Sequence, residues 1–182
     1  MIITGNPKEG LAEALYKLYP DAVYCSRENG YDLTNTDHMF EFANECTKHK
    51  QIILNSALWR FHQTILLDLV YKALRTAKTD AHIVCIGSTV DRTKKGQVWL
   101  YGAEKKALRD YCNSLSLIGV WHSGPKVSYI SLGTLDNNKD KHPTRSTLRR
   151  DTAAYYIKWL LEQPEYVNIN EISLDPMQER KE

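Results

Sequence analysis

The chain has 182 residues, 42% of them hydrophobic and 25% charged, which predicts one soluble globular domain. Its net charge of +2 is too close to neutral to indicate a nucleic-acid partner. The longest apolar runs are far shorter than a membrane span, and the first ten residues do not resemble a signal peptide. We therefore expect neither a membrane partner nor secretion.

Short β-like runs alternate with helical patterns along the whole chain. The predicted strands are 1–4, 21–27, 30–33, 51–57, 81–88, 126–133 and 167–175. The predicted helices, in which apolar residues recur every three to four positions, are 9–19, 36–50, 59–77, 99–117 and 149–163. Between Arg27 and Tyr31 there is no room for a crossover helix, so the third strand is expected to be a stub.

This alternation predicts an α/β fold, a doubly wound (Rossmann-like) parallel sheet with helices on both faces and strand three reduced to a stub. We expect a single domain over residues 1–176 and a disordered tail over 177–182. Sheets of this kind bind ligands beyond the carboxyl ends of their strands. Small or polar residues follow several predicted strands at that edge: Thr4, Gly5, Asn55, Ser88 and Gly133.

The four cysteines stand singly, without a C-x-x-C pair. This usage predicts free thiols in a reducing, cytoplasmic compartment. Cys46 and His49 could share one helical face, with His38 a little upstream, but no second pair of ligands completes a metal site. We therefore expect no metal.

The stretch GSTVDRTKKGQVWLYGAEKK, residues 87–106, contains Ser88, Tyr101 and Lys105. Among 11 tyrosines, a Y-x-x-x-K pattern alone would arise about once by chance. Here the serine ends a buried strand, and the other two lie four residues apart on one helical face. A nearby ammonium favours the phenolate and lowers a tyrosine pKa, which suits general acid–base work. The alternative is a surface tyrosine beside a solvated lysine.

At these residues the chain resembles the short-chain dehydrogenases/reductases, nearly end to end. Residues 3–15, ITGNPKEGLAEAL, resemble the T-G-x-x-x-G-x-G turn that opens the family, and LNSA resembles the family's N-N-A-G. The segments GS and YGAEK are similar to its catalytic serine and Y-x-x-x-K, and ISLGTLDN to its P-G segment. The ending VNINEISLDPMQ is similar to that of some family oxidoreductases.

The resemblance implies that Tyr101 is the acid/base, that Lys105 binds the nicotinamide ribose and that Ser88 holds the substrate oxygen. It also implies a set of cofactor-binding residues along the carboxyl edge of the sheet. This set consists of Gly5, Asn6, Gly10, Leu11, Ser26, Arg27, Asp32, Leu33, Asn55, Ser56, Ala57, Tyr101, Lys105, Leu132, Gly133 and Leu135.

The choice of cofactor depends on the end of strand two, where an NAD site usually carries an acid for the ribose 2′-hydroxyl. Here Ser26 and Arg27 stand there, and a guanidinium suits a 2′-phosphate. NADP(H) is therefore favoured, with NAD(H) possible because Glu28 follows directly and could accept the hydroxyl.

Several positions depart from the family pattern. If Gly10 is the second glycine of the turn, the turn is one residue longer than usual, and Pro7 removes one amide donor. The asparagine of the family's catalytic set should fall near Phe61, but residues 59–77 contain none; His62 or Gln63 could hold the relay water instead. The loop 134–148, where the family's substrate lid lies, is short and polar, which predicts a small or open pocket.

The leading hypothesis is an NADP(H)-dependent oxidoreductase that transfers a hydride between nicotinamide and a small carbonyl or secondary alcohol. The alternative is a catalytically weak or inactive NADP(H)-binding regulator or scaffold on the same fold. A third interpretation, a sugar-nucleotide epimerase or dehydratase, lacks the C-terminal domain of that branch. The resemblance implies a homodimer or homotetramer, for which four aromatic residues are candidate anchors: Trp59, Tyr71, Trp99 and Tyr111.

Overall fold

A computed structural model describes residues 1–92 and 99–177. It contains one sheet of six parallel strands in the order β2-β1-β3-β4-β5-β6. The strands are β1 (Ile2–Thr4), β2 (Val23–Cys25), β3 (Gln51–Leu54), β4 (His82–Ile86), β5 (Lys126–Leu132) and β6 (Glu171–Leu174). The helices are α1 (Gly10–Leu18), α2 (Thr36–Cys46), α3 (His62–Ala77), α4 (Leu100–Trp121) and α5 (Arg150–Leu161).

Two apolar cores cover the two faces of the sheet, because the strand side chains alternate and both sets are apolar. On one face, α2, α3 and α4 pack over residues such as Ile52 and Ile83. On the other face, α1 and α5 pack over residues such as Ile53 and Val84. The predicted doubly wound α/β architecture is therefore confirmed, and the direction of winding reverses at the crevice between β1 and β3.

The short third strand predicted at residues 30–33 is not formed as a strand. Residues 30–33 form turns and pair with no neighbouring strand, so β2 is the edge strand and the sheet has six strands where seven were expected. A short 3-10 turn, Arg27–Asn29, follows β2 closely. Asn35 then caps α2, because its side chain accepts the backbone N–H groups of Asp37 and His38. The chain has too few residues here to extend before the helix must begin.

The other predicted elements agree with the structure to within a few residues at their ends. Within residues 1–92 and 99–177, none of the helices combines the length and the apolar character needed to cross a bilayer. All four cysteines are free and buried. No group of three potential metal ligands occurs in the ranges described. The predicted tail over 177–182 lies outside the described residues apart from Met177.

A buried histidine links two strands inside the sheet. His82 Nε2 on β4 lies 2.8 Å from Ser128 Oγ on β5. Burial, with a smaller contribution from Lys126, lowers the pKa of His82 to about 4. An unfolded histidine titrates near 6.5, so between these two values the unfolded chain binds more protons than the folded one. Protonation of His82 therefore favours the unfolded chain, and the free energy of unfolding decreases as the pH falls below 6.5.

We expect acidification from pH 7 to pH 5 to cost about 2 kcal/mol through His82 alone. Urea unfolding of the His82→Gln variant should show an acid loss smaller by that amount, whatever the substitution does at pH 7. The matched control is His122→Gln, since His122 is exposed and should leave the acid loss unchanged. An identical acid loss in His82→Gln and the parent would contradict this assignment.

Candidate active site

Two adjoining clefts lie along the carboxyl edge of the sheet. The first has a volume of about 760 Å³ and lies on the β2 side, and the second, of about 780 Å³, lies on the β4–β5 side. They share a wall between them, formed by Asn6, Glu9, Ser56, Ala57 and Trp59. Every site residue predicted from the sequence lines one of these two clefts. The arrangement forms an elongated site across the point where the winding of the sheet reverses.

The second cleft contains Ser88, Tyr101 and Lys105. Ser88 lies two residues after the end of β4, and the other two lie on successive turns at the start of α4. Ser88 is close enough to Tyr101 to lower the pKa of the phenol, and Lys105 Nζ lies 5.5 Å from the centroid of the Tyr101 ring. The structure thus brings together three residues that the sequence separates by up to 17 positions.

The pKa of Tyr101 is raised, whereas the sequence predicted that Lys105 would lower it. Burial is the largest cause, the hydrogen bond from Ser88 opposes it, and the carboxylates of Glu104 and Asp91 add to it. Burial also lowers the pKa of Lys105 to about 8. Lys105 is not among the groups that lower the pKa of Tyr101 in this structure, and its ammonium group donates to another partner.

That partner is Gln63, a buried residue in the first turn of α3. Its Oε1 accepts from Lys105 Nζ at 2.6 Å. Its Nε2 donates to the carbonyls of Leu54 and Ile86, at 3.2 Å and 2.9 Å, where β3 and β4 end. The amide is therefore bonded through both its oxygen and its nitrogen, and Lys105 is tied to the edge of the sheet. Sequence reasoning named Gln63 only as a holder of a water molecule, beside His62, which lines the first cleft.

A second buried network lies beneath Ser88, and sequence reasoning missed it. Asp91 Oδ2 accepts from Tyr129 Oη at 2.7 Å and from Ser131 Oγ at 3.1 Å. The backbone N–H of Ser88 donates to Tyr129 Oη at 3.4 Å. Tyr129 and Ser131 are two apart on β5 and so point to the same face. In the sequence, only the spacing of Tyr129 and Ser131 could have indicated this network, and that spacing does not identify Asp91 as the acceptor of their hydrogen bonds.

The glycine turn approaches its surroundings too closely for any other residue at Gly5. This residue has a φ of +128°, and an added Cβ would lie 2.8 Å from Asn55 Nδ2. Beyond the turn, Glu9 precedes α1 without a side-chain cap. The first residues of α1, Gly10, Leu11 and Ala12, line the second cleft, and the amides of an uncapped first helical turn suit a phosphate. These features fit the pyrophosphate of a dinucleotide.

The hydroxyl of Thr4 fixes the loop that follows β3. Its Oγ1 accepts the backbone N–H groups of Asn55 and Ser56, at 2.8 Å and 2.9 Å. Thr4 is fully buried at the end of β1. It therefore joins the glycine turn to the segment Asn55–Ala57, which lines the second cleft.

The β2 side of the first cleft carries Ser26, Arg27, Asp32 and Leu33. Arg27 is exposed in the short turn after β2, while Leu33 is buried. Hydrogen bonds from Thr34 lower the pKa of Asp32, so this carboxyl remains charged near neutral pH. The cleft therefore offers both a guanidinium and a carboxylate to a ligand.

The far wall of the second cleft is formed by the segment after β5, which contains Leu132, Gly133 and Leu135. A Cβ on Gly133 would meet Pro176 Cδ at 2.5 Å. Arg150 holds the segment against α1, because it donates to Asp136 Oδ1 at 2.8 Å and to Glu13 Oε2 at 2.6 Å. The wall is therefore anchored to two helices.

Comparison with solved structures finds the same fold in several enzymes. A short-chain dehydrogenase from Burkholderia cenocepacia J2315 in complex with NADP has a TM-score of 0.78 at 14% identity, over 96% of this chain and 87% of its own. An alcohol dehydrogenase from Thermococcus sibiricus complexed with 5-hydroxy-NADP has a TM-score of 0.72 at 16% identity, over 100% and 97%. A 4-hydroxyisoleucine dehydrogenase complexed with NADH and succinate has a TM-score of 0.71 at 16% identity, over 97% and 98%.

Comparison with family models and comparison with curated proteins both give no match. The likeness to the solved structures extends over nearly the whole chain but at low identity. It shows that the chain has the fold of the short-chain dehydrogenases/reductases. The resemblance that the sequence motifs indicated is therefore confirmed at the level of the fold.

Proposed function

We propose that this protein is an NADP(H)-dependent oxidoreductase that reduces a small carbonyl compound or oxidises the corresponding secondary alcohol. The observation that carries the proposal is the meeting of Ser88, Tyr101 and Lys105 in a cleft that adjoins the glycine turn. A fold alone does not imply a reaction, whereas an acid, an oxygen-binding hydroxyl and a cation in one cleft define a chemistry.

A bound reduced nicotinamide would supply a hydride to the carbonyl carbon, and the electrons of the C=O π bond would pass to the oxygen. The Ser88 hydroxyl donates a hydrogen bond to the carbonyl oxygen and orients it. Tyr101 Oη then donates its proton to that oxygen, which completes the alcohol, and solvent later returns a proton to the phenolate. Lys105, mostly protonated at neutral pH, stabilises the phenolate while it exists.

The raised pKa of Tyr101 supports reduction as the direction in which this site works at neutral pH. Burial keeps the phenol protonated, so it is ready to donate. An oxidation would need the phenolate as base, and no cation among the described residues outweighs the effect of burial on the pKa of Tyr101. Gln63 holds Lys105 Nζ, so the approach of the ammonium to the phenol oxygen depends on breaking or rearranging that hydrogen bond.

NADP(H) is proposed over NAD(H) because Arg27 is an exposed residue of the first cleft, on the side where a 2′-phosphate would lie. Glu28 lines the same cleft and is the residue that would instead favour NAD(H). The three neighbouring structures were solved with NADP, 5-hydroxy-NADP and NADH respectively, so the fold accommodates both types of cofactor.

The test is a fluorescence titration of the protein with NADPH and with NADH. We expect NADPH to bind at least about tenfold more tightly, and Arg27→Gln to remove about tenfold of that affinity while NADH binding stays the same. Arg75→Gln is the matched control, since Arg75 is exposed on α3, away from both clefts. Failure of both nucleotides to bind would overturn the proposed function.

The alternative function is a nucleotide-binding regulator or scaffold with little or no turnover. The hydrogen bond between Lys105 and Gln63 favours it, because the ammonium is engaged away from the phenol oxygen. In the described part of the chain, residues 30–33 form no strand, so the first cleft, where the adenosine of a cofactor would lie, has one strand fewer beside it. Tight NADPH binding without oxidation of NADPH by any of a panel of aldehydes and ketones would support this alternative.

A homodimer or homotetramer remains part of the proposal, but two of the four candidate anchors are not free to form it. Tyr71 is buried in the core, and Tyr111 donates its hydroxyl to Asp68 Oδ1 at 2.6 Å. Trp59 and Trp99 are exposed, at 55% and 54%, but both line the second cleft.

A further inference from the structure

Two exposed tryptophans lie against the ring of Tyr101. The ring centroids of Trp59 and Trp99 lie 5.3 Å and 4.8 Å from that of Tyr101, at interplanar angles of 48° and 31°. Both indoles line the second cleft together with Ser88. More than half of each residue remains exposed. Two exposed indoles beside the Tyr101 hydroxyl form an apolar surface that a ligand of the cleft could cover.

The position of Trp59 is fixed by a turn that costs backbone energy. Arg60 and Phe61, which come next in the chain, have φ values of +58° and +62°, a region that residues other than glycine seldom adopt. The N–H of Arg60 donates to Glu104 Oε1 at 2.7 Å, and Glu104 is buried on α4 beside Lys105. The strained turn is therefore tied to the helix that carries Tyr101, and it presents the first indole to the same cleft as the second.

The charges around the second cleft limit which ligand could cover the indoles. Among the residues that the structure describes, the charged side chains of its lining are Lys105, Arg145 and one acid, Glu9, which lies beside the start of α1. A cationic ligand, which an aromatic cage can also attract, would thus meet two positive groups in this cleft. A flat ring without a positive charge avoids that repulsion and can pack against an exposed indole.

We propose that Trp59 and Trp99 bind the part of the substrate that carries its carbonyl group, and that the substrate is a carbonyl compound without a positive charge whose C=O is attached to a flat aromatic or unsaturated ring. This inference rests on the proposed function, because it places the carbonyl oxygen at Ser88 and Tyr101. The indoles hold the ring next to the phenol, so that the hydroxyl of Tyr101 meets the oxygen of the bound ketone.

The test compares two methyl ketones that differ in one six-membered ring, which is flat and aromatic in acetophenone and saturated in cyclohexyl methyl ketone. The readout is the ratio of their kcat/KM values in the parent and in each variant, which cancels the intrinsic difference in reactivity. We expect Trp59→Leu and Trp99→Leu each to lower the ratio of aryl to alkyl substrate by about fivefold to tenfold, mainly through KM. Trp59→Phe and Trp99→Phe should retain most of the ratio.

Trp159→Leu is the matched control, because Trp159 is a half-exposed indole on α5 that lines neither cleft. It should leave the ratio unchanged. The phenylalanine variants keep the test valid if a leucine variant does not fold. A ratio that is the same in all variants would overturn the inference and leave the proposed function standing.

A second readout does not depend on turnover. With the cofactor bound to the Tyr101→Phe variant, acetophenone should quench tryptophan fluorescence in a saturable way, and Trp99→Leu in that background should remove most of the quenching. If the parent reduces neither ketone, the presence or absence of saturable quenching by acetophenone decides the inference, and the proposed function is decided by nucleotide binding and the wider carbonyl panel. If the leucine variants weaken NADPH binding and leave acetophenone binding intact, the indoles contact the cofactor and the inference is wrong.

Discussion

Replacing Tyr101 with phenylalanine is expected to reduce kcat for carbonyl reduction by about 10²–10⁴-fold. The change removes the hydroxyl that lies with Ser88 in the second cleft. It leaves the ring, and hence its packing against Trp59 and Trp99, in place. The substitution therefore removes only the hydroxyl that is proposed to donate the proton. Stopped-flow or steady-state oxidation of NADPH with the best ketone of the panel measures the effect.

The affinity for NADPH should change by less than about twofold in the same variant, since the phenol is expected to act on the substrate oxygen. Tyr111→Phe is the control on the same helix. It removes a hydroxyl that donates to Asp68 away from both clefts, so kcat should stay at the parent value. Equal kcat in Tyr101→Phe and the parent would mean that another group donates the proton, and the assignment of Tyr101 would be wrong.

The fold was largely predictable from the sequence because its elements are local and strongly patterned. The buried strands QIIL and HIVCI and the apolar periodicity of α3 need no tertiary information. The segment 30–33 was the exception, since its few apolar residues fit a short strand equally well as a turn. Whether such a segment pairs depends on how many residues remain before Asn35 must cap α2, which is a constraint of chain length.

The site was predictable to the extent that its residues lie just after strand ends. Ser88 and Asn55 were found this way, because the carboxyl ends of parallel strands meet at one edge of the sheet. Gln63 was not assigned its contact with Lys105, because glutamines occur in many helices and only the packing of α3 against α4 turns this one toward the lysine. The link between Arg60 and Glu104 spans 44 residues and leaves no pattern in the sequence.

The pKa of Tyr101 shows where reasoning from pairs of residues fails. A lysine four residues along a helix predicts attraction between the ammonium and a phenolate. The structure adds burial, which raises the pKa of the tyrosine, and a third residue, Gln63, which accepts from the ammonium. Burial and Gln63 both act on Tyr101 or Lys105, and neither belongs to the Y-x-x-x-K motif. The motif identifies the participants, and the surrounding structure determines their protonation states before substrate binds.

Replacing Gly87 with alanine is expected to lower the free energy of unfolding by about 3 kcal/mol or more. A Cβ at this position, between β4 and Ser88, would overlap the ring and hydroxyl of Tyr129. Tyr129 is fully buried and donates to Asp91, so it has no other position to take. Urea unfolding monitored by circular dichroism measures the loss. A loss below about 1 kcal/mol would mean that Tyr129 can move.

Gly119→Ala is the matched control for that change. Gly119 lies within α4, and an added Cβ would meet nothing closer than the Pro125 carbonyl at 3.8 Å. Alanine there should stabilise the helix by up to about 1 kcal/mol. The opposite signs expected at the two glycines separate steric overlap from helix propensity.

The same substitution at Gly87 connects packing to chemistry. Tyr129 Oη accepts the N–H of Ser88, so a displaced Tyr129 also displaces the hydroxyl that orients the substrate oxygen. We therefore expect the folded fraction of Gly87→Ala to show a reduced kcat as well as reduced stability, measured at a temperature where circular dichroism shows native structure. Full kcat in a destabilised but folded Gly87→Ala would mean that the position of Ser88 does not depend on the buried network beneath it.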